Sequence, residues 1–108
     1  MAELVDLSDA NFDDQVVQPG VRAIVDFWSE DCAPCRVISP ILKDLADRFG
    51  DEIKIFKVNV YDNPAIAARF GVRSMPTILA MRDGKVVESF VGARPKAAFD
   101  QMAKDLLA

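Results

Sequence analysis

Residues 21–36 read VRAIVDFWSEDCAPCR, and this stretch decides the fold. Its first half, Val21 to Trp28, is β-branched, aromatic and nearly all apolar, as expected of a central strand covered on both faces. Cys32 and Cys35 follow at once, and apolar residues at helical spacing then continue to Gly50. The sequence therefore predicts a buried strand, a short loop with two cysteines, and a helix. Open α/β sheets usually place their functional sites at such strand ends.

Strand-like and helix-like segments alternate along the rest of the chain, which favours an α/β sheet. We predict that Ser8 caps a first helix, that Asn63 caps a third, and that Asp83-Gly84 forms a two-residue hairpin turn. The expected class is α/β, with a central mixed β-sheet of about five strands flanked by four helices. Strands are predicted over Glu3 to Leu7 and over 53–60, 77–82 and 85–91, and the other helices over about 9–17, from 64 to 71 and from about 95.

The bulk composition limits the classes of function. A chain of 108 residues suits a single domain, here 1–108, and 51% hydrophobic residues can form its core. The net charge of −4, with acids and bases interspersed, argues against a nucleic-acid or membrane partner. No signal peptide and no apolar run of membrane-spanning length is visible. We therefore expect a cytoplasmic protein that is a monomer.

The two cysteines are spaced Cys-x-x-Cys in a chain without histidine. Two buried structural cysteines are one interpretation, but a reducing cytosol makes a structural disulfide unusual, so redox chemistry is favoured. Zinc normally takes four ligands, and two thiolates do not complete such a site. A zinc or iron–sulfur site built from the cysteine pairs of two chains remains the least favoured alternative, and it would make the protein coloured or zinc-loaded.

Cys32 is expected at the N-terminus of the helix, where free amides and the helix dipole stabilise an anion. Because the thiolate is the reactive form, this position activates Cys32 as a nucleophile. Pro34 is tolerated in the first turn because its missing donor would be unpaired anyway. Cys35 lies one turn further on and is expected to be the more buried partner. We predict that Cys32 attacks a substrate disulfide and that Cys35 resolves the mixed disulfide.

The chain resembles the thioredoxin family over nearly its whole length. This resemblance implies the thioredoxin fold and the reduction of protein disulfides, with roles in electron transport and cell redox homeostasis. It further implies recycling by a thioredoxin reductase that uses NADPH, and no cofactor bound by the chain itself. The matching stretches are 25–28 (VDFW), 32–36 (CAPCR), Pro40, 57–60 (KVNV), 62–64 (DNP), 70–77 (FGVRSMPT), 83–84 (DG) and 91–92 (VG).

Asp26 is a carboxylate inside an otherwise apolar strand. Burial would require a raised pKa or a charge partner, whereas a position at a solvent-facing edge would require neither. The resemblance makes Asp26 the proton acceptor for Cys35. Lys57, on the neighbouring predicted strand, is the expected charge partner.

The resemblance also implies a substrate-binding surface around the cysteines. Met75-Pro76 would be a cis peptide facing the pair, with the Met75 backbone bound to an extended substrate, although a trans proline opening a strand is the alternative. Gly92 would either let the substrate backbone approach or serve as a simple turn. Trp28 would line the site and fill the core. The remaining contact residues would be Asp31, Ala33 and Pro34.

Three positions depart from the usual family pattern Trp-Cys-Gly-Pro-Cys-Lys, and Tyr61 is a further departure. Ala33 adds a methyl group, and Arg36 keeps the positive charge. Asp31 replaces an aromatic contact surface with a carboxylate. We expect this charge to disfavour the Cys32 thiolate, to make the couple more reducing and to penalise acidic partners. Tyr61 stands where the family often has aspartate, and its position alone indicates no function.

Two alternatives stay open at this point. An oxidant or isomerase would use the same cysteine pair, but the Ala-Pro dipeptide is closer to the reducing Gly-Pro than to the histidine-containing pairs of oxidants. A binding or assembly module with secondary redox activity would use the same fold for docking. Replacing both cysteines with serine would separate these classes, since a binding module would keep its function.

Overall fold

The computed structural model describes residues 4–108, and its centre is a mixed sheet of five strands in the order β1-β3-β2-β4-β5. Strand β2 pairs in parallel with β3 and antiparallel with β4, so it is central as its apolar sequence predicts. The predicted mixed sheet is confirmed. The strands are β1 (Val5–Asp6), β2 (Arg22–Trp28), β3 (Lys54–Asn59), β4 (Thr77–Arg82) and β5 (Lys85–Val91).

Within residues 4–108, four helices cover the two faces of the sheet, as expected. Alternate residues of a strand point to opposite faces, so the sheet buries two separate apolar clusters. Ile24 belongs to the cluster beneath α2 and α4, whereas Val25 belongs to the cluster beneath α1 and α3. The helices are α1 (Phe12–Val16), α2 (Ala33–Phe49), α3 (Pro64–Arg69) and α4 (Lys96–Leu107).

The start of α1 corrects the prediction that Ser8 caps a helix beginning near Asp9. The helix begins at Phe12 and its N-cap is Asn11, while Ser8 to Asn11 form a turn. Asp9 serves a different helix, because its carboxylate accepts the amide N–H groups of Ala65 and Ile66 at 3.3 and 2.9 Å. These are free donors at the start of α3, so a distant residue caps that helix.

Asn63 precedes α3 as predicted, but its side chain makes no capping hydrogen bond. It accepts the Asp9 N–H at 3.0 Å instead, and it donates to the Asn59 carbonyl oxygen at 3.1 Å. The capping prediction is therefore wrong in its acceptor, because the Asp9 carboxylate already accepts the free amides of α3. The first strand is also shorter than predicted, and Glu3 lies outside the described residues.

The hairpin between β4 and β5 is confirmed at Asp83-Gly84. Both residues have positive φ, 53° and 79°, as a two-residue turn that follows the sheet twist requires. The Asp83 carboxylate accepts the Gly20 N–H at 2.6 Å, and the Asp83 N–H donates to the Val21 carbonyl at 3.1 Å. These bonds tie the turn to the start of β2, at the end of the sheet opposite the cysteines.

Candidate redox site

The cysteine pair lies where the C-terminal end of β2 meets the first turn of α2. Cys32 is the N-cap of α2, and its Sγ accepts the backbone N–H of Cys35 at 3.2 Å. The two residues form a disulfide with their Cα atoms 5.3 Å apart. The helix N-terminus therefore directs an amide donor at the sulfur of Cys32, the arrangement that stabilises a thiolate there when the bond is reduced.

The two sulfur-bearing residues differ in accessibility. Cys32 is 9% exposed and Cys35 is 4% exposed, so Cys32 is the member of the pair nearer to solvent. This order agrees with the expectation that Cys35 is the more buried partner. An incoming group meets Cys32 first, and Cys35 stands behind it in the helix.

A second loop reaches the same end of the sheet because β4 runs antiparallel to β2 and pairs Thr77 with Phe27. The Met75–Pro76 peptide bond just before β4 is cis, as the resemblance implies, and Pro76 is buried. The Pro76 carbonyl accepts the N–H of Gly92 at 2.9 Å. This bond joins the loop before β4 to the turn after β5.

Gly92 has a φ of +97°, and a Cβ built on it would meet nothing within 4 Å. The positive φ supports the interpretation of Gly92 as a turn residue, because most residues with a side chain avoid that region. The open space above it also leaves room for a second backbone. Both interpretations of Gly92 therefore agree with the geometry.

Asp26 is 1% exposed, so the alternative of a solvent-facing edge is wrong. It shares the sheet face of Ile24, which packs beneath α2. Burial raises the pKa of Asp26 from 3.8 to about 7, and the nearby Lys57 charge opposes this shift. Within residues 4–108 its Oδ1 has no hydrogen-bond partner. A carboxyl group in this state takes up and releases a proton near neutral pH.

Lys57 lies beside Asp26 in the parallel register of β2 and β3. Its ammonium group rests over the Trp28 ring, with Nζ 4.1 Å from the ring centroid. In the described part of the chain no ion pair within 4 Å joins Lys57 to Asp26. The positive charge of Lys57 therefore lowers the pKa of Asp26 by electrostatic attraction at a distance, without direct contact. Trp28 is half-buried and donates from Nε1 to Asp6 Oδ1 at 3.1 Å.

Asp31 lies in the exposed loop between β2 and Cys32. Its Oδ1 accepts the Ser29 hydroxyl at 2.8 Å, and its Oδ2 accepts the Tyr61 hydroxyl at 3.3 Å. Sequence reasoning missed Tyr61 as a residue of this site. The sequence contained a signal for it, since Asp31 and Tyr61 both depart from the family pattern. Ala33 and Pro34 are exposed in the first turn of α2 beside them.

From residue 4 to the C-terminus, no group of three or more histidine, cysteine or acidic side chains is placed to hold a metal ion. In the same range no helix has both the length and the apolar character needed to cross a bilayer.

Comparison with known proteins agrees with this geometry. The sequence model of the thioredoxin family matches residues 3–105. Thioredoxin of Haemophilus influenzae is 46% identical over 96 residues, which cover 89% of this chain and 90% of that protein. Thioredoxin 1 of Synechococcus elongatus is 39% identical, covering 83% and 84%. The chloroplastic M-type thioredoxin of Chlamydomonas reinhardtii is 37% identical, covering 98% and 76%.

Proposed function

The chain belongs to the thioredoxin family and is a thiol–disulfide oxidoreductase that reduces protein disulfides, and we propose that Cys32 attacks the substrate and Cys35 resolves the intermediate. One observation carries this assignment. Cys32 caps α2 and is the more exposed cysteine at 9%, while Cys35 follows it in the helix at 4% exposure. Attack by the accessible, helix-stabilised thiolate follows from that order.

The exchange proceeds in two displacements of the same kind. The Cys32 thiolate attacks one sulfur of the substrate disulfide, a Cys32–substrate disulfide forms, and the other substrate sulfur leaves as a thiolate. The Cys35 thiolate then attacks Cys32 Sγ, closing the Cys32–Cys35 disulfide and releasing the second substrate thiolate. Two electrons pass from the protein dithiol to the substrate. A dithiol reductant must return them before the next cycle.

Asp26 is the proposed proton acceptor for Cys35 during the second displacement. Cys35 attacks only as a thiolate, so its proton must leave as the mixed disulfide is resolved. The pKa of Asp26, raised by burial to about 7, suits a base that works near neutral pH. Lys57 is a positioning residue in this scheme, because its charge opposes the effect of burial on Asp26.

The proposed substrate contact surface surrounds the disulfide on the exposed end of the sheet. An extended substrate segment would pair with the backbone of Met75, in the manner of an added strand, and pass over the open space at Gly92. The other residues of this surface are Trp28, Asp31, Ala33, Pro34 and Pro76. A binding or assembly role with secondary redox activity has no observation in its favour.

The cellular setting is proposed from the family and the composition. A thioredoxin reductase using NADPH would recycle the disulfide form, and the chain would act in the cytoplasm in electron transport and cell redox homeostasis. The domain of residues 1–108 would work as a monomer without a bound cofactor. Its small size and interspersed charges, net −4, support this proposal.

The test is the reduction potential of the cysteine pair, followed through Trp28 fluorescence in dithiothreitol redox buffers. A value at or below roughly −270 mV is expected of a disulfide reductant with a thioredoxin-like couple. A value between about −180 and −120 mV would instead indicate an isomerase or oxidant. Absence of a reversible two-electron couple would support the binding module.

Serine substitutions separate the roles of the two cysteines. Cys32→Ser is expected to lower disulfide reduction by more than about 10³-fold, because the nucleophile of the first displacement is lost. Cys35→Ser should accumulate a mixed disulfide with the substrate, visible as a mass increase that dithiothreitol removes. The roles would be reversed if Cys32→Ser formed the trapped complex and Cys35→Ser did not.

A further inference from the structure

Two departures from the family pattern meet in space. Asp31 follows β2 and Tyr61 follows β3, and the Tyr61 hydroxyl donates to Asp31 Oδ2 at 3.3 Å. The other carboxylate oxygen accepts the hydroxyl of Ser29, a residue that is 1% exposed. Both oxygens of Asp31 are therefore held, and the orientation of the carboxylate beside Cys32 is defined from two sides.

The loop that carries Tyr61 is itself anchored. The Asn59 side-chain oxygen accepts the N–H groups of Tyr61 and Asp62 at 3.0 and 3.2 Å. Tyr61 is nevertheless 64% exposed, so its hydroxyl is engaged while the rest of the side chain faces solvent. A large, exposed aromatic ring on an anchored loop is available for contact with another molecule.

The aromatic group and the acid have changed places relative to the usual family pattern. That pattern has an aromatic residue at position 31 and often an aspartate at position 61, whereas this chain has Asp31 and Tyr61. In this chain a hydrogen bond between the exchanged residues joins the two loops. It moves the negative charge next to Cys32 and the ring to the outer loop.

The charge of Asp31 is not neutralised within the described chain. Residues 4–108 contain no lysine or arginine that forms an ion pair with it. Arg36, in the first turn of α2, donates instead to the Glu30 carbonyl oxygen at 2.8 Å. Asp31 therefore keeps an unpaired negative charge on the surface that meets a substrate.

We propose that Asp31 and Tyr61 select disulfide substrates that carry a lysine or arginine beside the cysteine attacked by Cys32, an inference that rests on the function proposed above. The cation forms an ion pair with the Asp31 carboxylate and lies against the Tyr61 ring, which attracts cations through its π face. An acidic residue at the same substrate position is repelled. Tyr61 acts both as a contact and as the positioning residue that orients Asp31.

The test uses three disulfide peptides that differ only in the residue beside the attacked cysteine, which is lysine, glutamine or glutamate. The pre-reduced protein is mixed with each peptide, and Trp28 fluorescence gives the second-order rate constant. The lysine peptide is expected to react about fivefold faster than the glutamine peptide, since an exposed ion pair and a cation–π contact together contribute about 1 kcal/mol and tenfold corresponds to about 1.4 kcal/mol. This ratio should fall toward one as salt is added.

For each variant, the ratio of the rate constants of two peptides is independent of the intrinsic reactivity of Cys32, because both peptides react with the same thiolate. Asp31→Asn is expected to bring the lysine-to-glutamine ratio close to one. Tyr61→Phe keeps the ring and loses the hydroxyl, so it should lower the ratio less than Tyr61→Leu does. Asp51→Asn is the matched control, since Asp51 is exposed before β3 at the opposite end of the sheet and should keep the wild-type ratio.

The possible results distinguish a failure of the proposed substrate selection from a failure of the proposed reductase function. Equal rates with all three peptides would overturn the selection of cations and leave the reductase function standing. An undiminished ratio in both Asp31→Asn and Tyr61→Leu would also overturn it, because the cation would then bind elsewhere. Failure to reduce any peptide would overturn the inference together with the proposed roles of the cysteines.

Discussion

Two aspartates associated with the same antiparallel strand pair show how differently the two ends of the sheet use a carboxylate. Asp83 follows β4 in the hairpin turn, is exposed to water, and accepts the Gly20 N–H at 2.6 Å. Asp26 pairs with Ile78 near the cysteine end, is 1% exposed, and has an Oδ1 without a partner in the described chain. One carboxylate stabilises a turn, and the other is held where its ionisation is unfavourable.

Burial, and not residue type, separates the structural carboxylate at one end of the sheet from the chemical one at the other. The hairpin end satisfies backbone donors and acceptors, as when Arg82 donates to the carbonyl oxygens of Asp105 and Leu106 at the end of α4. The cysteine end contains a buried carboxyl group with a pKa of about 7, in the strand that leads to the cysteine pair. Substitutions at the hairpin end should therefore change stability alone, and substitutions at the cysteine end should also change chemistry.

The largest expected effect on stability is that of Asp26→Asn in alkaline solution. The native state binds the Asp26 proton more tightly than the unfolded chain, so the contribution of Asp26 to stability is fully present below the unfolded pKa near 4 and is lost as the pH rises through about 7. A shift from 3.8 to about 7 corresponds to roughly 4 kcal/mol, since one pKa unit is about 1.4 kcal/mol. Asp26→Asn removes this loss and should be the more stable protein near pH 9.

Urea unfolding of the oxidised protein between about pH 4 and about pH 9 measures this difference. The matched control is Asp83→Asn, which keeps an acceptor oxygen at an exposed site and should preserve the wild-type pH dependence. Parallel stability profiles for Asp26→Asn and the wild type would contradict the assignment of a buried, ionisable Asp26. Asp26→Asn should also slow the release of reduced substrate above neutral pH, whereas Asp83→Asn should not.

An intermediate effect is expected at the hairpin glycine. Gly84 has a φ of +79°, and a Cβ there would lie 2.7 Å from Val17 Cγ1 and 3.4 Å from Val17 Cα. Gly84→Ala should therefore lower the free energy of unfolding by about 2 to 3 kcal/mol, from backbone strain and crowding together. Gly71→Ala is the control, because Gly71 also has a positive φ, +66°, but open space around its Cβ position.

Gly71→Ala should cost only the backbone strain, about 1 kcal/mol, and thermal unfolding of the two variants measures the difference. Equal destabilisation would show that Val17 moves aside without cost. Neither variant should change the reduction potential of the cysteine pair. A changed potential in Gly84→Ala would contradict the separation between the two ends of the sheet.

The smallest effect is expected for Arg82→Met at the hairpin end. Its guanidinium donates to two carbonyl oxygens in the last turn of α4, at 3.1 and 3.0 Å, where no further helical donors follow. Losing these bonds while keeping an apolar stem should lower stability by about 1 kcal/mol. Chemical denaturation measures it, and Arg82→Lys should recover part of the loss, since an ammonium still favours a helix C-terminus. A loss equal for both variants would argue against a role of charge.

Much of the architecture could be predicted because it depends on local patterns. The apolar stretch before the cysteines predicts the central strand, and Asp83-Gly84 predicts the turn that the structure shows. The position of Cys32 before a long amphipathic segment predicts its place at a helix N-terminus. Strand periodicity, turn chemistry and helix periodicity each act over a few residues, so the sequence by itself determined these features.

Contacts between distant segments were decided only by the tertiary structure. Asp9 caps α3, which lies more than fifty residues away, and α1 consequently begins at Phe12 and not near Asp9. The Lys57 ammonium rests on the Trp28 ring and forms no ion pair with Asp26 within the described chain. Short polar side chains have several partners within reach, and only the packing of the whole sheet selects among them.

The cysteine site shows the same division. The sequence by itself identified the cysteine pair that we propose to react, because a Cys-x-x-Cys pair between a strand and a helix is typical of redox chemistry. The tertiary structure decided what surrounds them, by burying Asp26 and by bringing the Tyr61 hydroxyl to Asp31 from another loop. The spacing of the two cysteines is a covalent property of the chain, and the helix that activates Cys32 forms from local sequence. Burial of Asp26 and contacts across loops exist only after the strands are ordered side by side.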